Sequence, residues 1–149
     1  MRRRMFFLTA LPLALAVRPA LAAGKVHRLA LQLSDGSPEK MTSVLNVAAN
    51  VSRYYSGVGD EVEIRIVAFD AGVNMLRTDR SPVLTRLKSV SESLPDLTFE
   101  ACGNTLASMA RTEGKKPGEI ALFPGTKIVE AGVVELIDLG EQGWTIVRP

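Results

Sequence analysis

The spacing of apolar residues in this chain switches between two and about three and a half several times over, and that switching limits the folds open to it. The run VHRLALQLSD, residues 26–35, alternates as a strand does and stops at Asp35-Gly36. Ser37-Pro38 follows, a serine placed to cap a helix and a proline at the first helical position, where its missing N–H costs nothing. Met41, Val44, Leu45, Ala48, Val51 and Tyr55 then recur at helical spacing until Gly57 and Gly59. VEIRIVAFD, residues 62–70, returns to the strand period. Val62, Ile64, Ile66 and Ala68 share one face, while Val67 and Phe69 occupy the other, as in a strand buried on both sides.

The same alternation continues to the C-terminal end. Ser81-Pro82 repeats the cap-and-proline start, and Val83, Leu84, Leu87, Val90 and Leu94 carry a second helical period up to Pro95-Asp96. Residues 97–101 read as a third strand and 104–112 as a third helix. EGKKPGE, residues 113–119, has the composition of a loop. Residues 127–131 read as a fourth strand, Val133, Val134, Ile137 and Leu139 as a last short helix, and 144–147 as a fifth strand. Strands alternating with helices predict an α/β fold: one three-layer α/β/α sandwich with a mostly parallel five-stranded sheet. The pattern leaves the strand order open.

Residues 1–22 stand apart from this pattern. Three arginines, an apolar run from Phe6 to Val17 and the small-residue ending Ala20-Leu21-Ala22 have the order of an export signal cleaved after Ala22. Arg3-Arg4-Met5-Phe6-Phe7 also resembles the twin-arginine pattern. The apolar run is too short for a ~30 Å hydrocarbon core, so no stable membrane span is expected, and the expected location is the periplasm. The remainder, residues 23–149, is expected to form the single domain.

That division also changes the electrostatics. The chain has 18 basic and 16 acidic side chains, and four of the arginines, with no acid, fall in residues 1–22. The rest holds 14 basic against 16 acidic groups, a formal charge of −2. No basic stripe is left to neutralise phosphates, so nucleic acid is not an expected partner. The chain has one cysteine, Cys102, and therefore no internal disulfide, leaving that thiol buried and inert, paired with another chain, or functional.

In a parallel sheet, ligands bind beyond the carboxyl ends of the strands. The residues there are Asp35-Gly36, Asp70-Ala71-Gly72, Ala101-Cys102-Gly103 and Glu130-Ala131-Gly132, each a polar or reactive group beside a glycine. Asp and Gly are ordinary turn residues, so the corner that matters is the one with sulfur. Cys102 lies between a strand's end and a helix's first turn, where unpaired N–H groups and the helix dipole favour a thiolate. Gly103, Asn104 and Thr105 follow as candidate binding groups, with Asp35 and Asp70 at neighbouring strand ends. Free cysteine is also among the most buried residue types, and position alone does not separate the two readings. The only histidine, His27, begins the first strand at the far end of the sheet and reads as a plain surface residue. One cysteine and one histidine do not make a zinc cluster, and neither a phosphate loop nor a Gly-x-Ser-x-Gly elbow is present. No metal or cofactor is expected. Trp144 and Tyr54-Tyr55 read as core and helix-packing residues.

QLSDG after the first strand, the long helix with Asn46 and Asn50, VAFDAGV, FEACGNTL and VEAGVVELIDLGEQGWTIVRP resemble the DsrE/DsrF-like family along essentially the whole chain from Val26. The resemblance implies a three-layer α/β/α domain and a homo-oligomer, a trimer or hexamer. It also implies that Cys102, at the position of the sulfur-accepting cysteine of the relay members, carries sulfane sulfur as a persulfide and passes it to an acceptor. The implied partners are a sulfur-donor or acceptor protein or a small thiol. The alternative is a non-catalytic oligomeric binding module in which Cys102 packs the core or senses redox state.

Overall fold

A computed structural model describes residues 24–149, so the export-signal expectations for residues 1–22 lie outside the described residues. In chain order the elements are β1 (Val26–Leu33), α1 (Pro38–Val58), β2 (Glu61–Ala68), a 3₁₀ helix (Asp70–Leu76), α2 (Leu84–Ser93), β3 (Leu97–Cys102), α3 (Gly103–Thr112), a 3₁₀ turn (Pro117–Glu119), β4 (Lys127–Val129), α4 (Gly132–Glu141) and β5 (Thr145–Val147). The five strands form one sheet in the order β4-β3-β2-β1-β5, and each neighbouring pair is parallel.

That order explains how the helices are shared between the faces. From β1 to β4 the chain steps in one direction across the sheet, so right-handed crossovers set α1, α2 and α3 on the same side. The step from β4 to β5 returns past three strands and sets α4 on the other side. The buried side chains divide accordingly. Leu29, Leu31, Leu33, Val62, Ile64, Ile66, Ala68, Phe99 and Ala101 pack with Met41, Leu45, Leu87 and Leu106 of the three-helix side. Ala30 and Val67 pack with Leu136 and Leu139 of α4, with Trp144, and with the half-buried Phe69. The three-layer α/β/α architecture is as the periodicity predicts, and the second layer is a single helix.

Local chemistry sets the boundaries. Ser37 caps α1, its Oγ accepting the Lys40 N–H at 3.4 Å, and the helix stops at Gly59 with φ +83°, a backbone that glycine adopts without strain. The second Ser-Pro pair behaves differently. The Ser81 N–H donates to the Arg77 carbonyl at 2.9 Å and closes a turn, its hydroxyl caps nothing, and α2 begins only at Leu84. The 113–119 loop is drawn in by Glu113, which accepts from the fully buried Arg77 guanidinium at 2.5 and 3.1 Å. No helix among the described residues is long and apolar enough to cross a membrane.

Candidate functional site

Cys102 ends β3 and serves as the residue before α3, with an extended backbone (φ −66°, ψ 117°). Its side chain belongs to the sheet face that α4 covers, two residues along from Glu100 on the same strand. Only 6% of it is exposed, yet the residue lines a cavity of about 520 Å³. Both readings of the thiol thus hold in part. It is buried, and it borders a space large enough for a small ligand.

Burial pushes the Cys102 thiol up, but opposing groups outweigh it and hold the thiol below its ordinary value. The Thr105 hydroxyl acts first, followed by the backbone N–H groups of Gly132, Thr105 and Asn104. Thr105 is itself oriented: its Oγ1 accepts the Asp70 N–H at 3.0 Å, leaving the hydroxyl proton for the sulfur. The Asn104 N–H donates to the Glu130 carbonyl at 3.2 Å, which fits its being the weakest of the four contributors. The sulfur therefore sits between the amino ends of two helices, α3 and α4, each supplying N–H groups that stabilise negative charge.

Gly132 is required there by close approach. A Cβ on it would lie 3.1 Å from two atoms of Phe69 and 3.4 Å from the Cys102 Cβ. A side chain there would make Phe69 or the start of α4 give by a few tenths of an ångström.

Four elements build the cavity. Phe69 and Asp70 come from the end of β2, Asn104, Thr105, Ser108 and Met109 from one face of α3, and Ala131, Gly132 and Val133 from the start of α4. Of the residues expected from the sequence, Cys102, Asn104, Thr105 and Asp70 meet here. Gly103 does not line the space; it packs against the Val129 and Glu130 carbonyls, where a Cβ would lie 3.1 and 3.4 Å from the oxygens. Asp35 is elsewhere too. It accepts the Ser37 N–H at 2.7 Å and shares a separate cleft with Lys40 and Arg148, between the ends of β1 and β5. The sheet order accounts for the separation, since β2 stands between β1 and β3.

Sequence reasoning missed Phe69, Ser108, Met109 and Gly132 as site residues. Two signals for them were available. Ser108 and Met109 follow Thr105 at helical spacing on one face, and Gly132 repeats the strand-end glycine.

Under α4 lies a charge cluster built around one buried carboxylate, with its two partners half-buried. Arg65 Nη1 donates to Glu100 Oε1 at 3.1 Å and to Glu135 Oε1 at 3.2 Å, and its guanidinium carbon lies 4.8 Å from the Trp144 ring centroid. Glu100 is 1% exposed, and its Oε2 has no hydrogen-bond partner. Its burial raises the carboxyl pKa, against the opposing pull of Arg65.

His27 is at the opposite end of the parallel sheet, as expected, but it is not a plain surface residue. Its ring stacks on Tyr55 with centroids 3.7 Å apart, and its Nε2 lies 2.9 Å from Asp60 Oδ2. Tyr55 is the packing member of the tyrosine pair, whereas Tyr54 is 66% exposed. Trp144 is buried, as expected. Among the described residues no group of three or more His, Cys, Asp and Glu gathers as metal ligands would.

No protein-family model matches the chain, and no curated protein matches it. Among solved structures the chain is similar to MTH1491 of Methanobacterium thermoautotrophicum, described as a protein of unknown function. The two are 28% identical over 83% of this chain and 99% of that one, with a TM-score of 0.63. The likeness spans the whole of the archaeal protein and supports the compact α/β fold.

Proposed function

We propose that this is an exported sulfur-handling protein of the DsrE/DsrF-like kind, in which Cys102 carries sulfane sulfur as a persulfide. The Cys102 thiolate attacks the outer sulfur of a donor, holds it as Cys102–S–SH, and releases it to an acceptor thiol. The observation that carries this reading is the placement of a thiol with a lowered pKa on the wall of a cavity that Thr105 and Gly132 also line. Residues 1–22 support export to the periplasm by their charged, apolar and small-residue order. An oligomer is supported by the outward face of α4, where Val133, Val134 and Ile137 are each more than half exposed beside the cavity.

Mass spectrometry of the native protein after incubation with an alkyl persulfide tests the reading. The expected result is a gain of one sulfur atom on wild type and none on Cys102→Ser. No gain, under conditions that load a control persulfide carrier, overturns it.

The near-complete burial of Cys102 favours a second reading, a binding module with a packing cysteine. Iodoacetamide separates the two. Labelling of the native protein supports the carrier, and labelling only after unfolding supports the module.

A further inference from the structure

The cavity that holds Cys102 has a charge pattern of its own. Its wall has one ionisable group besides the thiol, the Asp70 carboxylate, and no Lys, Arg or His among the described residues. Asp70 is exposed, and no cation among the described residues forms an ion pair with it. It is also the one non-glycine described residue with left-handed backbone, φ +47°. That conformation turns its N–H inward to the Thr105 Oγ1 while its side chain stays on the cavity wall.

The N–H groups of Gly132 and Thr105 at the two helix ends already help hold the Cys102 thiol below its ordinary value. Once Cys102 ionises they serve the thiolate, and the cavity presents two negative groups to whatever enters. The remaining wall is neutral, made of the apolar Phe69, Met109 and Val133 together with the amide and hydroxyls of Asn104, Thr105 and Ser108. A dianion would have to approach a thiolate and a carboxylate with no cation to meet it. An uncharged or cationic molecule meets no such barrier.

We infer that this cavity selects its sulfur donor by charge, with Asp70 as the specificity-determining residue. It turns away anionic donors such as thiosulfate and admits persulfides whose carrier is uncharged or positively charged. The inference rests on the reading of Cys102 as a sulfur carrier. In the admitted reaction the Cys102 thiolate attacks the outer sulfur of R–S–SH. A bond forms between the Cys102 sulfur and that outer sulfur, and the original S–S bond breaks. Its electron pair leaves with R–S⁻, and the proton stays on the transferred sulfur. The products are Cys102–S–SH and R–S⁻, and no outside oxidant or reductant takes part.

Three methanethiosulfonates that transfer groups of different charge test the inference on the native protein: methyl (small and neutral), trimethylammonioethyl (cationic) and sulfonatoethyl (anionic). Each forms a mixed disulfide with a thiolate and releases methanesulfinate, which mass spectrometry follows in time. The cationic-to-anionic rate ratio is expected to exceed that of an unstructured cysteine peptide by about tenfold at low salt and to collapse toward it at high salt. Asp70→Asn suits left-handed backbone and removes the charge, and it is expected to lower the ratio by about threefold or more. A wild-type ratio equal to the peptide's overturns charge selection and leaves the carrier reading standing. A ratio that Asp70→Asn leaves unchanged overturns the role of Asp70. The salt series on wild type decides the matter if that variant does not fold. Failure of even the neutral reagent to label native protein, when it labels unfolded protein, overturns the carrier reading and this inference with it.

Discussion

At the scale of single residues, the chemistry of Cys102 depends on a relay through Thr105. The Asp70 N–H fills the acceptor side of the Thr105 hydroxyl, and Thr105 in turn holds the Cys102 thiol below its ordinary value. Thr105→Val removes both links. It is expected to raise the thiol pKa and slow iodoacetamide labelling at neutral pH by about tenfold, the worth of one hydrogen bond to a charged group. It also leaves the Asp70 N–H without its acceptor, at a cost of about 1–3 kcal/mol in denaturant unfolding where water does not replace it. Thr105→Ser is expected to keep both. The direction of the pH effect follows from the lowered pKa. Wild-type labelling, which needs the thiolate, reaches its plateau at lower pH than a free cysteine, and the variant's profile moves up. This relay was only half legible in the sequence. Cys102, Asn104 and Thr105 stand together in the chain, whereas Asp70 comes from another strand, and its link to Thr105 runs through a backbone N–H that residue identity does not reveal.

At the scale of elements, α4 supplies one wall of the cavity and a lid for the Arg65–Glu100–Glu135 cluster. Gly132→Ala brings a methyl to within 3.1 Å of Phe69 atoms and is expected to destabilise by about 1–3 kcal/mol in chemical denaturation. It also shifts the Gly132 N–H from the sulfur, so the labelling profile moves up in pH. Glu100 predicts a second effect. Its folded pKa lies above the model-compound value of 4.5, so the stability linked to its protonated form is complete below 4.5 and lost as pH rises through the folded value. Glu113, Asp79, Asp60 and Asp35 have lowered values, Glu113 down to about 2, and contribute the opposite slope below the ordinary carboxylate range. Thermal unfolding as a function of pH is expected to show both slopes, with Glu100→Gln removing only the upper one.

The long elements were the legible ones. The alternation in β2 separated Val62, Ile64, Ile66 and Ala68 from Val67 and Phe69, and the structure buries these two sets against different helices. Ser81-Pro82 misled because the same residue pair can open a helix or close a turn, and the Arg77 carbonyl takes the Ser81 N–H. Glu100 and Arg65 stood unremarked in their strands, since pairing across β2 and β3 is invisible until the register is known.

At the scale of the whole molecule, the order β4-β3-β2-β1-β5 sets three helices on one face and one on the other. That asymmetry was beyond the periodicity, which gives the number of strands and helices but not the direction of each step across the sheet. The lone helix leaves Val134 and Ile137 outward, 53% and 55% exposed. The proposed oligomer predicts that Val134→Asp with Ile137→Lys lowers the assembly size in sedimentation velocity. The monomer's stability should change by no more than about 0.5 kcal/mol per site, as for surface positions. An unchanged sedimentation coefficient in the double variant removes α4 from the interface.

The return of the chain from β4 to β5 has a consequence in time. Leu29, Ala30 and Leu31 of β1 pair with Thr145, Ile146 and Val147, so the two ends of the described chain meet only after everything between them has been made. In the chain the corner of β3 and α3 comes first, and the Gly132 wall and the Trp144 anchor come after it. Until they dock, Cys102 lacks the Gly132 N–H and is closer to an ordinary thiol. The pull that lowers the thiol pKa thus belongs to the finished fold and not to the Cys-Gly-Asn-Thr corner by itself.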